Sequence, residues 1–168
     1  VYAFDIHEHK LKLIEQNAAR MGIDIIETAR ADASVPMERF FGCADAVLAD
    51  VPCSGLGIIR KKPDIKWSFD ADGQRTLAEL QYRILSAAGR YVKPGGTLVY
   101  STCTIAQAEN QDVVERFLRE NAAFVPDSLE PYLPKELQRP TAKDGHIQFF
   151  PNTDGIDGFF ICRMKRKG

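Results

Sequence analysis

Four apolar runs in this chain each lead to a side chain able to do chemistry. Val1-Tyr2-Ala3-Phe4 stops at Asp5, Ile23 to Ala31 stops at Asp32, Ala44 to Ala49 stops at Asp50, and Thr97 to Ser101 leads to Cys103. Between them lie segments with helical periodicity. Leu11, Ile14, Ala18 and Met21 share one face, with Gly22 placed as a C-terminal cap. Leu77, Leu80, Ile84, Ala88 and Tyr91 share another, ahead of a Lys93-Pro94-Gly95-Gly96 stop. Glu109 to Glu120 is a third helix, burying Val113, Val114, Phe117 and Leu118. Strands alternating with helices predict an α/β fold around a parallel, doubly wound sheet. Ligands on such sheets bind outside the carboxyl ends of the strands, where Asp5, Asp32, Asp50 and Cys103 fall, with Cys53 three residues past Asp50.

The remainder of the chain has a different texture. Ile58 to Gly73 reads as a long charged loop, and Phe124-Val125 as a short strand. Pro126 to Asp144 carries four prolines and reads as loop with a short helix. "HIQFFP" and "GFFICRMKR" read as two strands joined like a hairpin through "NTDGID".

Composition narrows the function classes. At 168 residues, with 45% hydrophobic and 27% charged residues, the chain fits one domain with a buried core. No apolar run reaches the roughly 20 residues that span a bilayer, so a membrane partner is not expected. Four widely spaced cysteines without a CxxC pair, and three histidines, argue against a zinc site or a disulfide framework. Reduced thiols in the cytoplasm are the expectation, with no metal. A net charge of -1 is unlike a dedicated nucleic-acid binder, so RNA contact would have to come from local patches or another domain.

The candidate residues have plain readings beside functional ones. Asp5 can accept both hydrogen bonds of a ribose diol or cap the following helix. Asp32 can bind an adenine amino group or close a turn. Asp50-Val51-Pro52-Cys53 holds a carboxylate and a thiol on one stiff turn, because proline restricts both itself and its predecessor. Ser54, Gly55 and Gly57 leave room for a ligand beside it. Arg60, Lys61, Lys62 and Lys66 form a basic loop suited to RNA phosphate, with Trp67 expected to anchor that loop to the core. The closing Arg163, Lys165, Arg166 and Lys167 are weaker candidates for phosphate contact.

The stretches "DVPCSGLGIIRKKPDIKW", "LVYSTCTIAQAENQDVVERFL" and "DGFFICRMKR" resemble the RNA cytosine-5 methyltransferase family, and most of all its Sun/Fmu branch, which methylates small-subunit ribosomal RNA. Matching segments extend from Asp5 to Arg166. The resemblance implies a Rossmann-like class I methyltransferase fold: a mostly parallel sheet, a C-terminal antiparallel hairpin, and a first strand missing. Residues 1–168 would then be a single catalytic domain truncated at its N-terminus. The implied cofactor is S-adenosylmethionine and the implied partner is RNA. Cys103 would be the nucleophile and Cys53 the late base that releases product. Asp50 would bind the N3 and amino edge of the target cytosine and also approach the cofactor. Asp5 would hold the cofactor's ribose and Asp32 its adenine.

The family's glycine-rich cofactor loop is absent and would lie before Val1. Gln107 and Ala108 replace the usual proline and acid before Glu109-Asn110. The rival readings are a catalytically incomplete RNA-binding or scaffold module, and a thiol redox module using Cys53 and Cys103.

Overall fold

The computed structural model describes residues 1–68 and 70–168. In chain order the elements are β1 (Tyr2–Asp5), α1 (Glu8–Arg20), β2 (Glu27–Arg30), β3 (Ala44–Asp50), α2 (Ile65–Ser68), α3 (Ala71–Tyr91), β4 (Val92–Thr102), α4 (Gln111–Glu120), β5 (Phe124–Pro126), β6 (His146–Phe149), α5 (Pro151–Asp154) and β7 (Phe159–Arg166). Short 3-10 turns fill several connections, including three in the proline-rich stretch.

The strands form two sheets. β1 pairs with β2 in parallel. β3 pairs with β4 in parallel, and β4 pairs with β7 antiparallel. The other edge of β7 takes β6 at one end and β5 at the other, both antiparallel. The architecture is α/β with parallel and antiparallel strands mixed, and the C-terminal pair β6–β7 is the expected antiparallel unit. Among the described residues no ladder joins β1–β2 to β3–β4–β7. The two are tied through Phe40, whose ring lies 4.8 Å from Tyr2, 5.4 Å from Phe4 and 6.3 Å from Tyr91 at the end of α3. The Tyr91 hydroxyl also accepts the Met37 N–H at 2.9 Å.

The main core lies where α3 and α4 pack on the sheet. Leu85, Ala88, Val92, Leu98, Tyr100, Phe117, Phe124, Phe160 and Met164 are all buried there. Fully burying one such side chain is worth about 1.5–3 kcal/mol, so the apolar stripes of the two helices account for their docking. β7 serves two cores by its period of two. Phe160, Cys162 and Met164 face the main one, while Phe159 and Ile161 pack on a second built from Leu129, Ala142, Ile147 and Phe149. The proline-rich segment therefore covers the opposite face of the sheet.

Several expectations need correction. Met21 leaves the apolar face of α1 because the helix ends at Arg20; it is 64% exposed. β2 is only four residues long, since β1 offers it four partners, and Ile25 stays exposed outside it. Lys93–Gly96 does end α3, yet the chain remains in β4: pairing jumps from Ala44–Val92 to Ala46–Thr97, and the extra residues bulge out. The loop expected over 58–73 contains α2 and the first residues of α3, whose N-terminus Asp70 caps by accepting from the Asp72 and Gly73 amides. Position 69 of that stretch lies outside the described residues.

Candidate active site

The parallel register places the predicted residues along one edge. Asp5 ends β1 opposite Arg30, and the Ala31 N–H donates to the Asp5 carbonyl at 3.2 Å, so the segment carrying Asp32 is held beside Asp5. Asp50 ends β3 opposite Ser101, two residues before Cys103. The structure thus gathers two pairs at the strands' carboxyl ends: Asp5 with Asp32, and the Asp50–Cys53 turn with Cys103.

The carboxylates are partly engaged. Asp5 accepts the His7 N–H at 2.8 Å and pairs with the Lys10 ammonium at 3.5 Å. Burial pushes its carboxyl up, but the His7 N–H and Lys10 outweigh that and hold it below the usual range. It shapes the turn into α1, whose cap position is His7. Asp32 folds a local turn: one oxygen accepts the Ser34 hydroxyl at 2.7 Å and the Ser34 N–H at 2.9 Å, and these lower its pKa. Asp50 Oδ1 accepts the Ser101 hydroxyl at 2.9 Å. The second oxygens of Asp32 and Asp50 hold no hydrogen bond among the described residues, so both can take a hydroxyl or amino donor from a ligand.

The thiols meet. Cys53 Sγ lies 3.3 Å from Cys103 Sγ, and both residues are half-buried. One thiol can donate to the other, and the surroundings decide which carries charge. The hydrogen bond from Cys53 pulls Cys103 down to about 7, with Lys62 assisting and burial and Asp50 opposing. The same contact, together with deeper burial, pushes Cys53 up. These surroundings favour charge on Cys103 over Cys53, and thiolate is the nucleophilic form. The other thiols differ: Cys43 is exposed, while Cys162 is a core residue whose thiol burial pushes up to about 12.

Two glycines bring the thiol-bearing loops into backbone contact. Gly57 N–H donates to the Cys103 carbonyl at 3.0 Å, and Gly158 N–H donates to the Gly57 carbonyl at 2.8 Å. Around this stack runs a buried polar network that the apolar patterning did not reveal. Thr102 donates to Asn110 Oδ1 at 2.6 Å, and Asn110 Nδ2 donates to the Thr104 carbonyl at 3.1 Å and to Gln148 Oε1 at 2.8 Å. The Ser54 and Thr104 hydroxyls lie 2.8 Å apart. Glu109 accepts from Ser54, Gln81 and Gln74. A signal was present in the sequence: Gln81 falls between Leu77 and Ile84 on the apolar stripe of α3.

The basic loop is divided. Arg60 and Lys61 both pair with Asp157 in the β6–β7 connection, at 3.2 and 2.5 Å. Lys62 and Lys66 are exposed, and Lys62 is near enough to favour charge on Cys103. Trp67 is not an anchor: it is 88% exposed, while Ile65 on the same short helix turns inward beside Gly55. Of the closing cations, Arg163 pairs with Asp127, Arg166 donates to the Val92 carbonyl and Lys167 to the Ala122 carbonyl. Among the described residues no cluster of three His, Cys, Asp or Glu could hold a metal ion, and no helix is long and apolar enough to cross a membrane.

The chain is 46% identical over its whole length to a probable ribosomal RNA small subunit methyltransferase B of Bacillus subtilis (strain 168), of which it spans 38%. It is 35% identical to the probable counterpart in Synechocystis sp. (strain ATCC 27184 / PCC 6803 / Kazusa), with 99% of this chain and 37% of that relative aligned. The chain therefore spans little more than a third of these relatives. The solved structure of PH0851 superposes with a TM-score of 0.88 at 31% identity, over 98% of this chain and 36% of that one. NSun6 from Pyrococcus horikoshii, solved with SFG, superposes with a TM-score of 0.81 at 25% identity, over 99% and 41%. The family profile described as 16S rRNA methyltransferase RsmB/F matches residues 1–165, and the chain belongs to that family.

Proposed function

We propose that these residues form the catalytic domain of a longer chain. That chain methylates carbon 5 of a cytosine in small-subunit ribosomal RNA, using S-adenosylmethionine and a covalent bond from Cys103 to carbon 6 of the base. The observation that carries the reading is the 3.3 Å approach of Cys53 and Cys103 beside Asp50. The relatives' names as small-subunit rRNA methyltransferases support it, as does the NSun6 neighbour's SFG, an S-adenosylmethionine analogue.

The donor set fits that cofactor. A ribose diol and an adenine amino group are hydrogen-bond donors, and Asp5 and Asp32 stand side by side as acceptors at the ends of β1 and β2. When bound, S-adenosylmethionine supplies an electrophilic methyl group on a sulfonium. Carbon 5 of cytosine is a weak nucleophile, and addition of the Cys103 thiolate at carbon 6 gives the ring enamine character. Asp50, oriented by Ser101, would accept from the cytosine amino group and share a proton with N3, so that the negative charge developing there is neutralised. After methyl transfer carbon 5 carries a proton that must leave before the Cys103 bond can break. Cys53 would take that proton as a thiolate, its own proton having passed to bulk water when the base displaces Cys103 from it, and would act directly or through a water that then carries the proton away.

The target base must leave its stack to reach the pair. Lys62 and Lys66 provide charge for phosphate, and the exposed Trp67 provides a stacking face beside them. Trp67 is the sole tryptophan of residues 1–168, so the fluorescence of this stretch reports the loop alone. A cytosine-containing single-stranded RNA is expected to quench it. Trp67→Ala in the longer chain should raise the KM for RNA about tenfold with kcat little changed, the worth of one stacked base. An unquenched Trp67 and an unchanged KM would remove this loop from the RNA path. The chemistry itself is tested by nucleoside mass spectrometry of reacted small-subunit RNA. 5-Methylcytidine is the expected product, and a methyl group on any other base would overturn the reading.

A further inference from the structure

Glu109 is 0% exposed, and no cation lies against it among the described ion pairs. Burying a carboxylate is costly unless hydrogen bonds satisfy it, so what its bonds hold is informative. Oε2 accepts the backbone N–H of Ser54 at 2.8 Å and Gln81 Nε2 at 3.0 Å, and Oε1 accepts Gln74 Nε2 at 3.3 Å. The same Gln81 amide donates to the Pro52 carbonyl at 2.9 Å. The residues on both sides of Cys53 are thus fastened to one carboxylate, directly at Ser54 and through Gln81 at Pro52. The next residue, Asn110, is equally buried and holds the Cys103 side through Thr102 and the Thr104 carbonyl. One junction at the start of α4 therefore grips both thiol turns.

We propose that Glu109 is a positioning residue: it fixes the Pro52–Ser54 turn so that the Cys53 thiol points at Cys103. Its catalytic consequence rests on the methyltransferase reading above, but the geometric claim does not. A carboxylate suits the task because both its oxygens accept. In Glu109→Met both acceptor oxygens are lost, and the Ser54 N–H and the Gln81 and Gln74 amides all lose this partner. The substitution keeps the volume and frees the turn.

The test measures alkylation of Cys103 by iodoacetamide across pH, read peptide by peptide with mass spectrometry. Cys53, Asp50 and Lys62 are the titratable and charged groups that face Cys103. In the wild type the rate should rise through a midpoint of about 7, because thiolate accumulates above it. In Glu109→Met, Cys103 loses the Cys53 hydrogen bond and its midpoint should climb toward 9.0, the unperturbed value. At pH 7 the rate then falls about fivefold or more, following the thiolate fraction. Gln81→Met, which deletes the bridging donor at similar volume, should move the midpoint in the same direction. A folded Glu109→Met with the wild-type midpoint overturns the proposal. So does failure of both variants to fold, because a positioning residue leaves the fold standing. With RNA and S-adenosylmethionine, the full chain carrying Glu109→Met should accumulate the covalent adduct as release by Cys53 slows. If the wild type places no methyl group on the RNA, the methyltransferase reading fails while the alkylation result still decides Glu109.

Discussion

Gly57→Ala should lower stability by about 3 kcal/mol or more, the upper range for forcing atoms into a filled space. A Cβ at this position would stand 2.1 Å from the Gly158 carbonyl oxygen, 2.6 Å from the Gly158 carbonyl carbon and 2.7 Å from the Cys103 carbonyl oxygen. All three are backbone atoms, so no rotamer change can relieve the contact. The loops must part, breaking the hydrogen bonds from Gly57 to Cys103 and from Gly158 to Gly57. For a chain of this size the melting temperature should fall by roughly 6–12 °C. Because the same stack supports the Cys103 carbonyl, the thiol contact should be lost as well, and Cys103 alkylation near pH 7 should slow. A variant that melts with the wild type would show that the three loops are not packed in this way.

The second large effect is an opposition between the thiols. Cys103→Ala removes the proposed nucleophile and should lower methyl transfer at least about a thousandfold, as loss of a covalent nucleophile does. Cys53→Ala leaves that nucleophile in place but removes the group placed to take the carbon-5 proton. Attack and methyl transfer should proceed, and the enzyme should then stop as a covalent complex with its RNA. Two residues in contact at 3.3 Å would thus give opposite phenotypes, no adduct and trapped adduct. Gel mobility of the protein after incubation with RNA and S-adenosylmethionine distinguishes them. The rival redox reading predicts instead that the two thiols join under mild oxidation and that RNA leaves no covalent mark.

What the sequence could show followed from how local each signal is. α3 and α4 were legible because their apolar stripes alternate with charge at helical spacing, and Leu80, Ile84, Ala88, Val113, Val114, Phe117 and Leu118 pack into the core. Asp5, Asp50 and Cys103 were legible because each follows an apolar run, and parallel pairing brings Asp50 level with Ser101. β2 was overextended because the Ile23–Ile26 run carries the composition of a strand but has only the short β1 to pair with. Trp67 was misjudged as an anchor because a large aromatic usually finds burial; here Ile65 takes the inward position of the short helix. The Glu109, Asn110 and Gln148 network was hidden for another reason. Its bonds join residues from 6 to 55 positions apart in the chain, and nothing in their neighbours announces the partner.

The central claim is that Cys103 attacks and Cys53 releases. Its most direct test is to map the covalent link in the Cys53→Ala form of the full chain after reaction with small-subunit RNA and S-adenosylmethionine. Nuclease and protease digestion followed by mass spectrometry should find a methylated cytidine nucleotide attached to the peptide containing Cys103, and no such species from Cys103→Ala. A nucleotide found on Cys53 in the Cys103→Ala protein would reverse the two roles, and absence of any adduct from both variants would contradict the covalent mechanism.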